Sequence, residues 1–114
     1  MGSDIGDLPP HVQAQIAAQG ELAEIWAWNV KDKGIRGADS YFKFLKKSIS
    51  SLSRTYAKGR VVSTRPEFRF MTFKQSTRGH GHIAVYMIEA NDVVVLNVFH
   101  TSQDWENRLA EEQR

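Results

Sequence analysis

The chain has 114 residues, no cysteine and a formal net charge of +2. This length predicts a single domain, 1–114, with one core, and the lack of cysteine excludes disulfides and thiolate metal sites. No apolar run approaches the roughly 20 residues of a membrane span, and the start of the chain lacks the basic and apolar segments of a signal peptide. We therefore expect a cytoplasmic globular domain that does not contact membranes.

Helical periodicity dominates the first half of the chain. A first helix is predicted over 8–33, because Pro9 suits a first turn, apolar residues then recur at helical spacing, and Gly34 follows. A second helix is predicted over 36–57, where apolar residues fall on one face and Gly59 comes next. The short glycine-containing link between them predicts an antiparallel helical hairpin.

After Arg60 the hydrophobic period changes from 3.6 to two. Antiparallel strands are predicted within residues 60–100, over 60–64, 68–74, 82–89 and 93–100. The last two runs are apolar on both faces, which is typical of central strands, and Pro66 is expected to end the first. Residues 101–114 are predicted to be a tail or a short helix. The predicted fold is α+β, with the hairpin packed on a three- or four-stranded antiparallel sheet.

Charge is distributed unevenly along the chain. Residues 31–78 carry 13 Lys or Arg and 3 Asp or Glu, a balance of +10, whereas the flanking segments carry 2 and 10, a balance of −8. Faces of opposite charge that pair within the fold would account for this pattern. A basic surface that meets a polyanion or an acidic protein would account for it equally well.

Several short motifs follow one another in a recognisable order. They are Ile25-Trp26-Ala27-Trp28 before Gly34, the run Ala38, Tyr41, Leu45 and Ile49, Gly59-Arg60 followed by Pro66-Glu67-Phe68-Arg69, the strand 82–88, and the strand 93–100 followed by Asp104-Trp105. Together they resemble the RelE/ParE toxin superfamily, and ParE-type toxins in particular. The resemblance covers about four-fifths of the chain, from Glu21 to Leu109. Each motif is degenerate alone, and the order and spacing make the match specific.

The chain departs from the superfamily at three places. Members usually begin with a β-strand, whereas residues 1–8 hold no convincing strand, so that strand is missing, supplied by another chain or replaced by a longer helix. An open sheet edge would favour a covering partner or a homo-oligomer. Asn97 and Met87 stand where members usually carry basic residues, which removes positive charge from the sheet.

The resemblance implies the toxin component of a type II toxin–antitoxin system, linked to plasmid stabilisation and growth arrest. Its partner would be an antitoxin whose disordered acidic segment folds across it. ParE-like members poison DNA gyrase without chemistry of their own, and RelE-like members cut mRNA on the ribosome without a metal. We favour the gyrase poison, because the Ile25-Trp26 motif and the His100…Asp104-Trp105 ending resemble ParE. The mRNA endonuclease is the alternative, and an attenuated, non-toxic binding module is the second. Contact with DNA is expected only through the antitoxin complex.

Three groups of side chains are candidates for these activities. The predicted target or phosphate contacts are Arg60, Arg65, Arg69, Lys74 and Arg78. The predicted antitoxin-binding residues are Trp28, Tyr41, Phe68, Phe70 and Trp105. If the chain is a nuclease, the catalytic candidates are His82 and His100 as base or acid, with Arg69 and Arg78 as phosphate clamps.

Ordinary structural roles would account for the same residues. Strand-end histidines often bond a neighbouring side chain, and strand aromatics usually pack in a core. His80-Gly81-His82 has no convincing third ligand, so neither a metal nor a cofactor is expected.

Overall fold

The computed structural model describes residues 12–14, 16–90 and 92–112. Its helices and strands are β1 (Val12–Ala14), α1 (Ile16–Ser50), α2 (Leu52–Thr55), β2 (Arg60–Val62), β3 (Arg65–Phe73), β4 (His82–Glu89), β5 (Asp92–His100) and α3 (Trp105–Glu112). A 3-10 turn, Tyr56–Lys58, connects α2 to β2. The α+β class is confirmed.

Gly34 divides α1 into a first arm, residues 16–33, and a second arm, residues 35–50. Its φ of 78° and ψ of 173° are not helical, and a positive φ favours glycine. The indole Nε1 of Trp26 lies 3.5 Å from Oδ1 of Asp39, thirteen residues later. A straight helix would separate two such residues by about 20 Å. The arms therefore fold back on each other as the predicted antiparallel hairpin.

The five strands form one sheet in the order β1-β5-β4-β3-β2. Strands β2 to β5 pair antiparallel, and β4 and β5 lie within one residue of their predicted bounds. Val85 pairs with Asn97 while Tyr86 pairs with Val95, so β5 carries one extra residue, a bulge, at Leu96. The four antiparallel strands match the prediction, and β1 adds a fifth.

The N-terminal strand corrects two predictions. Val12–Ala14 is a strand parallel to β5, so the first helix does not run from 8 to 33, and the family's first strand is not missing. Three residues are too few for periodicity to separate a strand from a first helical turn. Their hydrogen-bonding partner also lies far along the chain. The predicted start of the helix at Leu8-Pro9-Pro10, and the segment 1–8 that was judged to lack a strand, lie outside the described residues.

Smaller corrections concern other element boundaries. β3 begins at Arg65, so Pro66 is its second residue and does not end the preceding strand. Proline is tolerated at the beginning of a strand, where little of the hydrogen-bond ladder is lost. The second predicted helix, 36–57, is formed by the second arm and α2, and the C-terminal segment contains the short helix α3.

The sheet separates two apolar cores. On one face, side chains of β4 and β5 such as Ala84, Tyr86 and Val95 pack against the hairpin residues Tyr41 and Leu45. On the other face, Val62, Phe68, Ile83, Val85 and Phe99 pack with Leu109 of α3. Alternate residues of a strand point to opposite faces, which explains why β4 and β5 are apolar throughout.

Gly59 is required by close packing. An added Cβ at this position would lie 1.8 Å from the hydroxyl oxygen of Tyr86, which donates a 2.6 Å hydrogen bond to the carbonyl oxygen of Tyr56. We predict that Gly59→Ala lowers the free energy of unfolding by about 1–3 kcal/mol. Gly20→Ala is the control, because Gly20 is helical with open space around it, and it should stabilise by about 0.5–1 kcal/mol. Urea denaturation of both variants measures the difference, and equal stabilities would contradict the packing.

Candidate functional site

A groove of about 550 Å³ lies between the hairpin and the ends of β4 and β5. Its lining includes Ile25, Trp28, Lys33, Tyr41, His82, His100 and Arg108. The first arm forms one wall and the strand ends form the other. The bend at Gly34 creates the groove, because it brings the second arm, with Tyr41, back toward the first.

Trp28 gives the groove an exposed aromatic surface. Its side chain is 61% exposed, whereas Asn29 beside it is buried and donates from Nδ2 to the carbonyl oxygen of Ile25 at 2.8 Å. A large apolar side chain left this open is a common mark of a protein-binding surface.

Three histidines form a row along the opposite wall. The rings of His80 and His82 each lie with their centroids 5.2 Å from that of His100. The register of β4 and β5 causes this arrangement, since His82 pairs directly with His100. At the inner end of this imidazole row, the hydroxyl of Tyr41 is hydrogen-bonded to Nδ1 of His82. In the middle of the row, Nδ1 of His100 lies 2.6 Å from the hydroxyl oxygen of Ser102. At the outer end, Nδ1 of His80 lies 3.3 Å from the hydroxyl oxygen of Thr101.

Burial keeps the inner part of the row uncharged at neutral pH. Burial, with smaller contributions from the nearby His100 and Lys33, lowers the pKa of His82 to about 4. Burial also lowers the pKa of His100 and raises the pKa of Tyr41 to about 12. A neutral imidazole with so low a pKa is a poor general acid near pH 7.

The predicted phosphate contacts do not form one cluster. Nη1 of Arg69 donates to the carbonyl oxygens of Ala57 at 3.4 Å and Gly59 at 3.2 Å, so this guanidinium fastens the chain before β2. Arg65 forms a 2.7 Å ion pair with Glu67. The remaining three, Arg60, Lys74 and Arg78, are exposed on β2 and on the segment between β3 and β4.

The predicted antitoxin-binding residues also fall on two faces of the sheet. Trp28 and Tyr41 line the groove. Phe68 is buried in the second core, and the rings of Phe70 and Trp105 pack with their centroids 4.7 Å apart beside it. The last three therefore support α3 and do not meet the first two in one site.

Sequence reasoning missed a polar cluster at the end of the groove. Nδ2 of the buried Asn97 donates to Glu21 at 2.9 Å and to Glu112 at 2.8 Å, and Glu21 also accepts from the backbone N–H of Val98. Burial raises the pKa of Glu21, and the carboxylates of Glu112 and Glu24 raise it further. These bonds fasten the first arm and α3 to β5. Asn97 stands out in an otherwise apolar strand, but nothing local identifies its partners.

Within 12–14, 16–90 and 92–112, no group of three or more His, Asp or Glu side chains is placed to hold a metal ion. Among the helices of the same ranges, none combines the length and apolar character needed to cross a membrane.

The comparisons with known proteins define the class of protein. A solved structure, described as the chromosomal ParDE TA system from P. aeruginosa, aligns with a TM-score of 0.66 over 78% of this chain and 92% of that chain. The sequence identity is 16%, so this likeness shows the fold alone, that of a small α+β domain.

A family model identifies the chain more specifically. Residues 15–105 match the ParE toxin of the type II toxin–antitoxin system parDE. The chain belongs to this family. No curated protein matches it.

The burial of His82 predicts how stability depends on pH. Its pKa of about 4 in the folded chain lies below the ordinary 6.5, so the unfolded chain takes up the proton first as the pH falls. The folded state should therefore lose roughly 2–3 kcal/mol from this residue between those two values. His100 acts in the same direction and Glu21 in the opposite one, so the measurement compares wild type with His82→Gln. Urea denaturation should show a shallower pH dependence for the variant, and parallel curves would overturn the assignment.

Proposed function

We propose that a cognate antitoxin silences this toxin by placing an apolar side chain against Trp28 in the groove. The exposed indole carries this proposal, since a partner that covers it removes apolar surface from water. Ile25 and Val98 line the same groove and extend the apolar surface around Trp28.

Charged residues at the groove fit an antitoxin segment with acidic residues. Lys33 and Arg108 line the groove as its two cationic side chains, and the buried His82 beside them is uncharged at neutral pH. Acidic side chains of the segment would approach these two cations. Glu21, Glu24 and Asp32 line the groove as well, so the segment would also carry basic residues that lie nearer to these three carboxylates.

We further propose that the target is DNA gyrase and that the toxin acts without catalysing a reaction. RNA cleavage by an acid–base mechanism needs titrating groups and free cations near the scissile phosphate. Here His82 is buried and neutral, and Arg69 is bound to backbone carbonyl oxygens. Two of the four catalytic candidates are thus held by contacts within the fold, which supports a toxin that binds its target over one that cleaves RNA.

A ribosome-dependent mRNA endonuclease is the second candidate. The imidazole row favours it, because His80 and His100 line an open groove beside Lys33. An RNA segment in the groove would meet these rings first. An attenuated, non-toxic module of the same fold is the third candidate, suggested by Asn97 and Met87.

Induced expression in a bacterial host separates these functions. We expect growth arrest with intact mRNA and altered plasmid supercoiling, as a gyrase poison produces. If a neighbouring reading frame encodes a small acidic protein, its co-expression should restore growth. Arrest with mRNA cut at codons would replace the gyrase proposal with the nuclease, and unimpeded growth would favour the attenuated module.

Removal of the indole at position 28 tests whether the antitoxin binds in the groove. We predict that Trp28→Ala weakens binding of that acidic protein by roughly tenfold or more, as for a central interface aromatic, without lowering the stability of the free toxin. Trp26→Ala is the matched control, because Trp26 lies on the same arm but does not line the groove. Calorimetric titration gives both affinities, and equal losses would place the antitoxin elsewhere.

A further inference from the structure

Four cations form a straight stripe on the outside of the hairpin. Arg36, Lys43, Lys47 and Arg54 are all exposed. At 100° per residue they lie within about 40° of one another around the helix axis. Backbone hydrogen bonds from Ser51 N to Lys47 O and from Thr55 N to Ser51 O, each 3.0 Å, continue the helical ladder from α1 into α2. We call these four residues the basic stripe.

Few carboxylates lie around the basic stripe, and the one beside it is Asp39, three residues after Arg36. Residues 40–66 contain seven Lys or Arg and no Asp or Glu. Within the described part of the chain, no ion pair involves a stripe residue. Helix surfaces usually mix both charges, because like charges repel one another and lower stability. A row of cations with a carboxylate beside one end alone is best explained by an anionic partner.

The spacing of the basic stripe suits a chain of phosphates. Along the axis its members are separated by about 10, 6 and 10 Å, and the stripe spans about 27 Å. Ser40 and Ser50 lie beside it and are exposed. Serine hydroxyls, lysine and arginine are the groups that commonly contact the phosphate oxygens of nucleic acids.

The composition of the basic stripe disfavours a protein partner. Protein interfaces have an apolar centre. The large apolar side chains that are exposed all lie outside residues 36–54, the segment that carries the stripe; they are Trp26, Trp28, Ile35, Val61 and Ile88. Single-stranded nucleic acid is also disfavoured, because its binding sites use aromatic side chains that stack on bases. None of the aromatic side chains within residues 36–54 is exposed.

We infer that the basic stripe binds the sugar–phosphate backbone of a nucleic-acid duplex without reading its sequence. None of its four residues lines the groove, so this binding is separate from that of the antitoxin. Nε2 of Gln75 lies 3.4 Å from the hydroxyl oxygen of Ser40. The segment that carries Lys74 and Arg78 therefore lies beside the stripe and extends the basic surface.

Salt dependence of duplex binding tests the inference. The probe is a labelled DNA duplex of about 20 base pairs, longer than the stripe, with an RNA duplex of the same sequence in parallel. Fluorescence anisotropy with the full chain should give micromolar binding, and log K should fall with log salt at a slope of about −3.6 for four phosphate contacts. The more tightly bound duplex identifies the preferred helical form.

A double variant distinguishes binding by the basic stripe from a general effect of net charge. Lys43→Gln with Lys47→Gln should halve the slope to about −1.8 and weaken binding at least about tenfold. Lys31→Gln with Arg108→Gln makes the same change in net charge outside the stripe and should leave the slope unchanged. Equal losses in the two variants, or binding of polyglutamate in place of either duplex, would overturn the inference. Thermal unfolding confirms that both variants are folded, and antitoxin binding by the stripe variant should be unchanged.

Discussion

The two cores and the groove all depend on the antiparallel pairing of β4 with β5. This pairing sends Ala84 and Tyr86 under the hairpin and Ile83 and Val85 under α3. The same register sets His82 opposite His100 at the end of the pair. A shift of one residue would exchange the two faces of β4 and remove His82 from Tyr41. The register therefore fixes the stability of the fold and the geometry of the groove together.

Local sequence predicts the hairpin and the two central strands, but it does not predict β1 or the long-range polar contacts. The hairpin, β4 and β5 are predictable because helical and strand periods persist over many residues. The turn register alone would set His82 opposite Phe99, and the bulge at Leu96, which the local pattern does not reveal, shifts the pairing to His100. β1 is different, because three residues carry little periodicity and their partner is distant. The bond between Glu21 and Asn97 spans 76 residues, so only the fold brings the two side chains together.

Several polar groups of the groove make hydrogen bonds that stabilise the fold. His82 is satisfied by Tyr41, and Glu21 holds the end of β5 through Asn97 and Val98. Groups held in this way are costly to free, because a buried polar atom without a partner loses about 1–3 kcal/mol. What remains available to a partner is the indole of Trp28 and the charge of Lys33. That combination suits a peptide with an apolar anchor better than it suits a scissile phosphate.

The bend at Gly34 also separates charge. The first arm carries Glu21, Glu24 and Asp32 along the groove, whereas the second arm carries most of the basic stripe. A single unbroken helix would place the carboxylates and the basic stripe along one rod. The net charge of +2 alone would then give little attraction for any polyion. Folding the helix back at a glycine gives one hairpin two surfaces of different chemistry. An antitoxin in the groove would leave the stripe open, so a toxin–antitoxin complex on DNA would gain backbone contacts from the toxin itself. Such contacts add salt-dependent affinity and leave the choice of sequence to the antitoxin.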